Sequence, residues 1–449
     1  MRKLRDFPYQ KCLVLGLAKS GTAVTQLLLE NDVKVIANDK NALETDDAVI
    51  QLKNIGAQVV VGSHPIELLN DIDVIFKNPG IPYENELLKE AVIRNIPILT
   101  EVELLYYYQI DPLIAITGSN GKTTTTTLTY EMFKNDTTTY HLAGNIGHVA
   151  SEVARNMKEG DGMVAELSSF QLQGIEKLQP TISVVLNLVE AHLDFHHSLE
   201  NYQAAKANIF KNQKEHHFLV YNADDERVVK MVSTAPSIKV PFSRKQRLKQ
   251  GVYLLNEAIY FRDEKIIDLK NIKLVGEHNV ENILAAVGAA KISGASNDAI
   301  IEVLTTFTGV KHRLQFVRNI AGRSFFNDSK ATNLLATEKA LASFKRPVIL
   351  LAGGLDRGNE FDELESSLEH VKGMIVFGET AGKLKKLAES NNIPHIYQVA
   401  NMEQAVRQAY AISEEKDIIL LSPACASWDQ YKTFEERGDM FIEAVHKLK

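Results

Sequence analysis

The 449-residue chain is 45% hydrophobic and 24% charged, a globular balance that excludes a disordered or collagen-like chain, and at roughly 150 residues per domain its length predicts about three domains. Fifty basic residues against fifty-seven acidic ones leave a net charge of −7, without the basic excess of a general nucleic-acid binder. No apolar run approaches the roughly 18 residues of a membrane span, the start MRKLRDFPYQ has no signal-peptide core, and Cys12 and Cys425 alone make no disulfide framework. A cytoplasmic protein without membrane insertion or a nucleic-acid partner is expected.

Short apolar runs alternate with helical stretches from the start. Cys12 to Leu15 reads as a buried strand, followed by a glycine turn and an amphipathic helix around Ala23 to Leu29. Further strands are expected at Val33 to Ala37, Val59 to Val61 and Asp73 to Phe76. This spacing implies a parallel, doubly wound sheet. Thr100 to Glu103 fits a capping box that would start a helix out of this region. A second unit begins at Pro112, with strands at 113–116, 162–165, 181–186 and 217–221. Short antiparallel strands are expected between Val252 and Leu269, then an alanine-rich buried helix from Asn279 to Ile292. Near Gly309 the alternation restarts, with strands at 324–327, 348–351, 374–377 and 418–421.

The strongest motif is IAITGSNGKTTTTT, Ile114 to Thr127. A buried strand enters a loop with Gly118, Ser119, Asn120, Gly121, Lys122, Thr123 and Thr124, then a helix. Backbone N–H groups and the helix N-terminus face a polyphosphate, the lysine adds charge, and a threonine hydroxyl suits Mg²⁺. The loop is shorter than the full Walker pattern, because Ile116 stands where the first glycine would fall. The ordinary alternative is a glycine turn before a threonine-capped helix. Gly16 to Gly21 (GLAKSG) with Asp39 resembles a dinucleotide fingerprint, but the Ala18 methyl hinders close approach of a pyrophosphate. A structural turn or a crevice for another nucleotide remains open, and Asn78-Pro79-Gly80-Ile81-Pro82 could add to that crevice.

Glu166, at a strand end beside the phosphate loop, has the chemistry of a Mg²⁺ ligand, with a helix-start acid as the alternative. His192, Asp194, His196 and His197 invite a zinc reading, yet adjacent His196 and His197 cannot easily face one ion. A polar, solvated loop is expected for those two, and surface positions for His216 and His217. Lys206 alone reads as a solvated helix lysine. KHRL (Lys311 to Leu314), NDSKATN (Asn327 to Asn333), LAGGLDRG (Leu351 to Gly358) and SPACASWDQYKTF (Ser422 to Phe434) lie at or near strand ends, where open α/β sheets bind ligands.

Taken in order, GLAKSG, NPGIP, TGSNGKTT, GNIG (Gly144 to Gly147), ELSSFQL, AHLDFH, AAKANIF, GEHNVENILAA, KHRL, NDSKATN, LAGGLDRG and SPACASWDQYKTFEERG resemble the Mur ligases over essentially the whole chain. NDSKATN and SPACASWDQYKTF resemble the members that add D-glutamate. The resemblance implies an α/β fold of three domains: a Rossmann-like UDP-substrate domain (1–100), a central P-loop ATPase-type domain (101–308) and a Rossmann-like C-terminal domain (309–449) that binds the amino acid and closes on ATP. It implies a monomeric, ATP-dependent amide ligase of peptidoglycan precursor synthesis, acting on UDP-N-acetylmuramoyl-L-alanine and D-glutamate through an acyl phosphate.

By the same resemblance, Lys122 and Thr123 serve the ATP phosphates and a first Mg²⁺, with Glu166 as its carboxylate. His192 serves a second Mg²⁺ together with Lys206, which in this family carries a CO₂-derived carbamate. Asn279 and Asn282 fall on the adenine side, and Arg313, Asp328 and Lys330 on the nucleotide and transferred phosphate. Thr332, Arg357, Ser427 and Phe434 correspond to D-glutamate contacts, Ser20, Asp39, Asn78 and Gly80 to the UDP site, and Asn145 to the muramoyl side. The chain departs from many members in having Ala191 before the metal-site histidine, Arg357 in place of a lysine, and Lys40-Asn41 after Asp39. Rival readings are a folylpolyglutamate-type ligase, which shares the phosphate loop, an ATPase or kinase without an amine substrate, and an NAD-linked oxidoreductase, which leaves Lys122 without a task.

Overall fold

The computed structural model describes all residues except Asn135, Asp136, Val275, Asn359 and Lys449, and describes only the backbone of Asp194, Glu277 and His278. The Asp194 side chain of the zinc reading and the Glu277-His278 side chains of GEHNVENILAA therefore lie outside the described residues. The chain forms two compact units, residues 1–307 and 308–449.

In the first unit, β1 (Lys11–Leu15), β2 (Lys34–Asp39), β3 (Gln58–Val61), β4 (Val74–Lys77) and β5 (Ile98–Leu99) form a parallel sheet in the order β3-β2-β1-β4-β5. Helices cover both faces of a parallel sheet, so its central strands are continuous apolar runs; Cys12, Leu13, Val14 and Leu15 are fully buried. β2 runs on through Asn38 and Asp39 because the Asn38 amide turns inward and donates to Val60 O and Ser63 O, both at 2.8 Å.

The same unit holds a second sheet: β6 (Leu113–Thr117), β7 (Tyr140–Gly144), β8 (Gly162–Glu166), β9 (Ile182–Val185), β10 (Phe218–Asn222), β11 (Ile238–Ser243), β12 (Val252–Leu255), β13 (Ala258–Phe261) and β14 (Glu264–Asp268). Its order is β14-β13-β12-β11-β10-β9-β6-β8-β7. The pairs from β7 to β12 are parallel, and β12, β13 and β14 pair antiparallel as the sequence predicts. The helix Glu277–Ile292 buries Ala285, Ala286, Ala289 and Ala290 completely. These small side chains let it pack against both the sheet and the helix Lys122–Glu131. One apolar core runs through both sheets, joining Cys12, Val14 and Leu27 to Leu113, Ala115 and Ala165.

The capping box expected at Thr100 does not form. Only a short 3₁₀ turn, Glu101–Glu103, and the helix Leu104–Tyr107 follow. The Thr100 hydroxyl donates instead to Gln171 O at 2.6 Å. The fully buried Glu103 carboxylate accepts the N–H groups of Glu176, Lys177 and Leu178 at 3.0, 2.7 and 3.1 Å. Three converging donors outbid the single one an N-cap offers. A capping box does form at Ser168 and Gln171. His217, expected at the surface, is buried: its ring accepts the Lys214 N–H at 3.0 Å, and burial pushes its pKa down.

The second unit, described by itself, contains β15 (Gln315–Ile320), β16 (Arg323–Asn327), β17 (Val348–Gly353), β18 (Val371–Phe377), β19 (His395–Gln398) and β20 (Ile418–Leu421), ordered β15-β16-β20-β17-β18-β19. All pairs are parallel except the β15–β16 hairpin. Glu103→Ala removes the acceptor shared by three backbone donors, and a loss of about 2 kcal/mol is expected. Urea denaturation measures it, and an unchanged midpoint would show that water satisfies the 176–178 turn equally well.

Candidate active site

β6 lies between β8 and β9, with Ile116 opposite Glu166 and Thr117 opposite Val185. The phosphate loop, the chain after Glu166 and the chain after Val185 therefore leave the sheet on one edge. Gly121 caps the helix Lys122–Glu131 with φ +81, and a Cβ there would stand 2.0 Å from Asn282 Oδ1. No side chain fits between loop and Asn282. Asn282 donates to Asn279 Oδ1 at 3.0 Å, so the two adenine-side candidates sit together behind the loop. The loop is tied to the following segment: Asn120 N donates to Asn187 Oδ1 at 2.8 Å, and the Ser119 hydroxyl donates to Val189 O at 3.0 Å. Lys122 Nζ folds back to Gly118 O and Ser119 O at 2.9 and 3.0 Å.

Glu166 is 2% exposed. One carboxylate oxygen accepts from the Thr123 hydroxyl at 2.7 Å, the other from the Asn145 amide at 2.9 Å. The helix after it is capped by Ser168, so Glu166 is not a helix-start acid. Gly144, at φ +104, lets the GNIG turn lie against β8, where a Cβ would be 2.3 Å from Glu166 O. Lys206 is 1% exposed and not the solvated helix lysine its local sequence predicts. Its Nζ donates to Gly118 O at 2.9 Å and lies 4.6 Å over the Tyr202 ring. Burial and then the neighbouring Lys122 charge hold its pKa well below the usual lysine range, with Glu166 opposing.

The histidines part company. His192 follows β9 by a loop and caps the short helix Leu193–His196, its ring 4.9 Å from that of Phe170. His196 is buried rather than solvated: it stacks on Phe170, and its Nε2 lies 3.0 Å from Ser169 Oγ. His197 is exposed, as is His192, and its Nε2 lies 2.6 Å from Glu84 Oε1. A one-turn helix packed around Phe170 holds the His192 and His196 rings against that side chain and leaves His197 to Glu84.

A cavity of about 330 Å³ opens at the edge of the first sheet, lined by Gly16, Ala18, Asp39, Asn78 and Gly80 among others. Asp39 accepts the N–H groups of Leu17, Asn41 and Ala42 at 2.7, 2.8 and 3.2 Å, and Asn78 donates to Ser20 Oγ at 3.1 Å. The sequence reading missed His64, which lines the same cavity with Nδ1 2.6 Å from Asn38 Oδ1.

In the second unit, Asp328 accepts Leu314 N–H at 3.1 Å and the Ser422 hydroxyl at 3.0 Å, which sets Arg313 beside it in the chain. Burial pushes its carboxyl up to about 7 against those two bonds. Thr332 N donates to Lys330 O at 2.9 Å. Lys330 Nζ lies 5.7 Å over the Phe434 ring, the Arg357 guanidinium 4.9 Å over Trp428, and Ser427 is 2% exposed. The sequence reading missed Arg437. Fully buried, it donates to Ser329 O and Cys425 O at 2.9 and 3.0 Å and to Gly353 O at 3.4 Å. One guanidinium thus fastens the three loops that carry Lys330, Arg357 and Ser427. Its only sequence signal is its place in TFEERG, just after the SPACASW loop.

An open α/β unit with a phosphate loop, a buried carboxylate at its threonine and a glycine-turn crevice beside it defines a nucleotide-dependent α/β protein. Family models agree in all three regions: "Mur ligase MurD-like, N-terminal domain" over residues 10–100, "Mur ligase middle domain" over 116–290 and "Mur ligase, glutamate ligase domain" over 312–425. The chain belongs to the Mur ligase family. It is 57% identical over 449 residues, all of both chains, to the UDP-N-acetylmuramoylalanine–D-glutamate ligase of Oceanobacillus iheyensis. It is 53% identical to that of Bacillus subtilis, over 98% of each chain. The fold is similar to that of UDP-N-acetylmuramate–alanine ligase MurC from Thermotoga maritima, with TM-score 0.56 and 19% identity over 98% of this chain and all of that one.

The raised Asp328 pKa has a stability consequence. The folded state binds the proton more tightly than the unfolded chain, so this contribution is full below pH 4 and disappears as pH rises through about 7. Asp328→Asn is expected to flatten the loss of stability between pH 4 and 7 by up to about 4 kcal/mol. Denaturation midpoints of both proteins across that range check it; parallel curves would mean that Asp328 is solvated as an ordinary carboxylate.

Proposed function

We propose that this chain is an ATP-dependent amide ligase joining D-glutamate to UDP-N-acetylmuramoyl-L-alanine in cytoplasmic peptidoglycan precursor synthesis. The observation that carries the reading is the buried Thr123–Glu166 pair at the foot of the phosphate loop, with the buried Lys206 amine on the same loop's carbonyl. Full-length identity above half to relatives named for that reaction supports it.

A carboxylate is a poor acceptor for an amine at neutral pH. Transfer of the γ-phosphoryl group of ATP to the L-alanine carboxylate supplies a leaving group; the D-glutamate amine then attacks, and phosphate departs from a tetrahedral intermediate. Crowded anions must be offset by fixed positive charge. Lys122 serves the ATP phosphates, and the Asn279–Asn282 pair faces adenine. Asn145 faces the muramoyl part, and Ser20, Asp39, Asn78 and Gly80 hold the UDP. Of the second unit's groups, Arg313, Asp328 and Lys330 serve the nucleotide and the transferred phosphate. Thr332, Arg357, Ser427 and Phe434 serve D-glutamate, where the guanidinium can hold a carboxylate bidentately.

The donor set fits two Mg²⁺ ions. The Thr123 hydroxyl and Glu166 carboxylate are hard oxygen donors for one. His192 and a carbamate on Lys206 would hold the other. Burial and the neighbouring Lys122 charge lower the Lys206 pKa, which favours the neutral amine, the form that adds to CO₂. Bound Mg²⁺ supplies charge neutralisation between the reacting anions.

Phosphate release with UDP-N-acetylmuramoyl-L-alanine, with and without D-glutamate, tests the function: turnover is expected only with both. Release that ignores D-glutamate would make the chain an ATPase or kinase instead. Lys206→Ala is expected to lose nearly all activity and to regain part of it with added acetate, whereas Lys206→Arg, with a fixed charge and no free amine, stays inactive. An active arginine variant would replace the carbamate with a plain cation.

A further inference from the structure

Lys77 ends β4 and is 2% exposed, one of the largest fully buried side chains of the molecule after the aromatic ones. Its ammonium donates to three carbonyls: Ile81 O at 2.8 Å, Pro79 O at 3.2 Å and Asn78 O at 3.5 Å. All three belong to the NPGIP turn that directly follows it. That turn forms one wall of the first-sheet cavity, through Asn78, Gly80, Ile81 and Pro82. The turn must curl tightly for Asn78 to reach Ser20, and three carbonyls pointing at one centre would repel each other without a cation or donor there. Lys77 Nζ also stands 4.8 Å over the Tyr83 ring and 5.7 Å over the Phe195 ring. Phe195 packs edge-on against Phe170 at 4.6 Å, and Phe170 against His192 at 4.9 Å. The side chain therefore stands between the cavity wall of the first sheet and the short helix that His192 caps.

We propose that Lys77 is a positioning residue for the UDP-bearing substrate: it gathers the NPGIP carbonyls so that the Asn78 and Gly80 edge faces the cavity, and it braces that edge against Phe195. The inference rests on the assignment of the cavity to the UDP substrate. A residue that shapes the cavity wall without meeting the reacting atoms supplies binding that is equal in ground and transition states, so its loss raises KM and spares kcat. ATP and D-glutamate do not enter this cavity, and their KM values should stay put.

The test uses the full chain. Lys77→Met keeps the aliphatic stem and removes the donors, and steady-state kinetics with each substrate varied in turn reads the split. The KM for UDP-N-acetylmuramoyl-L-alanine is expected to rise about tenfold, the loss of roughly one charge-assisted bond, with kcat and the KM for ATP within about twofold. Equal effects on all three substrates, or a fall in kcat alone, would overturn the inference. Should Lys77→Met fail to fold, Lys77→Gln retains two N–H donors on a shorter stem and reads the same split. Failure of both to fold would assign Lys77 to the core and overturn the positioning role. Wild-type protein that does not turn over the UDP substrate would overturn the functional reading instead, so the two failures are distinguishable.

Discussion

Parallel pairing of β6 with β8 and β9 brings three chain exits to one edge of the second sheet, and each exit carries a group that would be unfavourable there alone. Glu166 is a nearly buried carboxylate, and a buried charge without partners is costly. Its two oxygens are met by Thr123, from the helix that the phosphate loop starts, and by Asn145, from the turn after β7. Lys206 arrives from the helix Leu199–Ala207 and takes a carbonyl of the same loop. The donors and acceptors are thus fixed by neighbouring strands before any ligand arrives, which is what preorganisation demands of a site.

The second unit fastens its loops by a different device. Around the phosphate loop and the first-sheet cavity, amides carry the load: Asn38, Asn78 and Asn187 each bridge two segments. Each such bond is neutral and joins one pair of segments. In the second unit one guanidinium spans three loops, because its planar fork presents five donors in fixed directions and remains charged at any ordinary pH. Burial pulls its pKa down to about 10, still far above neutrality. A single residue thereby couples the positions of Ser329, Gly353 and Cys425, so a change at one loop is felt at the other two.

The sheets were legible where burial on both faces makes strands into apolar runs, as in CLVL and VILLAG. β19 (HIYQ) was not, because it lies at a sheet edge with three of its four residues exposed and shows no apolar face. The phosphate loop was legible because strand, glycines, Lys-Thr and helix are contiguous. Thr100, His196, Lys206 and Arg437 were misread or missed for one reason: their partners are distant in sequence. Thr100 binds residues 71 and 74 positions away, and Arg437 one 108 positions away. Local pattern prices a lysine or histidine as solvated, and only the packed fold can overrule it. For Lys206 the family resemblance supplied what the local pattern could not, since it placed the residue beside metal and phosphate.

The choice of partner decides what a buried lysine can do. Lys372 faces Asp417 and Glu414; burial pulls its pKa down, but the two carboxylates more than compensate, and it lies above the usual value, locked as a cation. Lys77 and Lys206 are more deeply buried and, among the described residues, form no ion pair. Their N–H groups are met by carbonyls, which satisfy hydrogen bonds without supplying a countercharge. Burial is the largest influence on both: Lys77 falls to about 8, and Lys206, with Lys122 adding repulsion, is held well below its usual range. A carboxylate partner at either position would stabilise the cation and raise the pKa. A carbonyl partner is what allows Lys206 to be buried and hydrogen-bonded without a countercharge, and Gly118 of the phosphate loop supplies it.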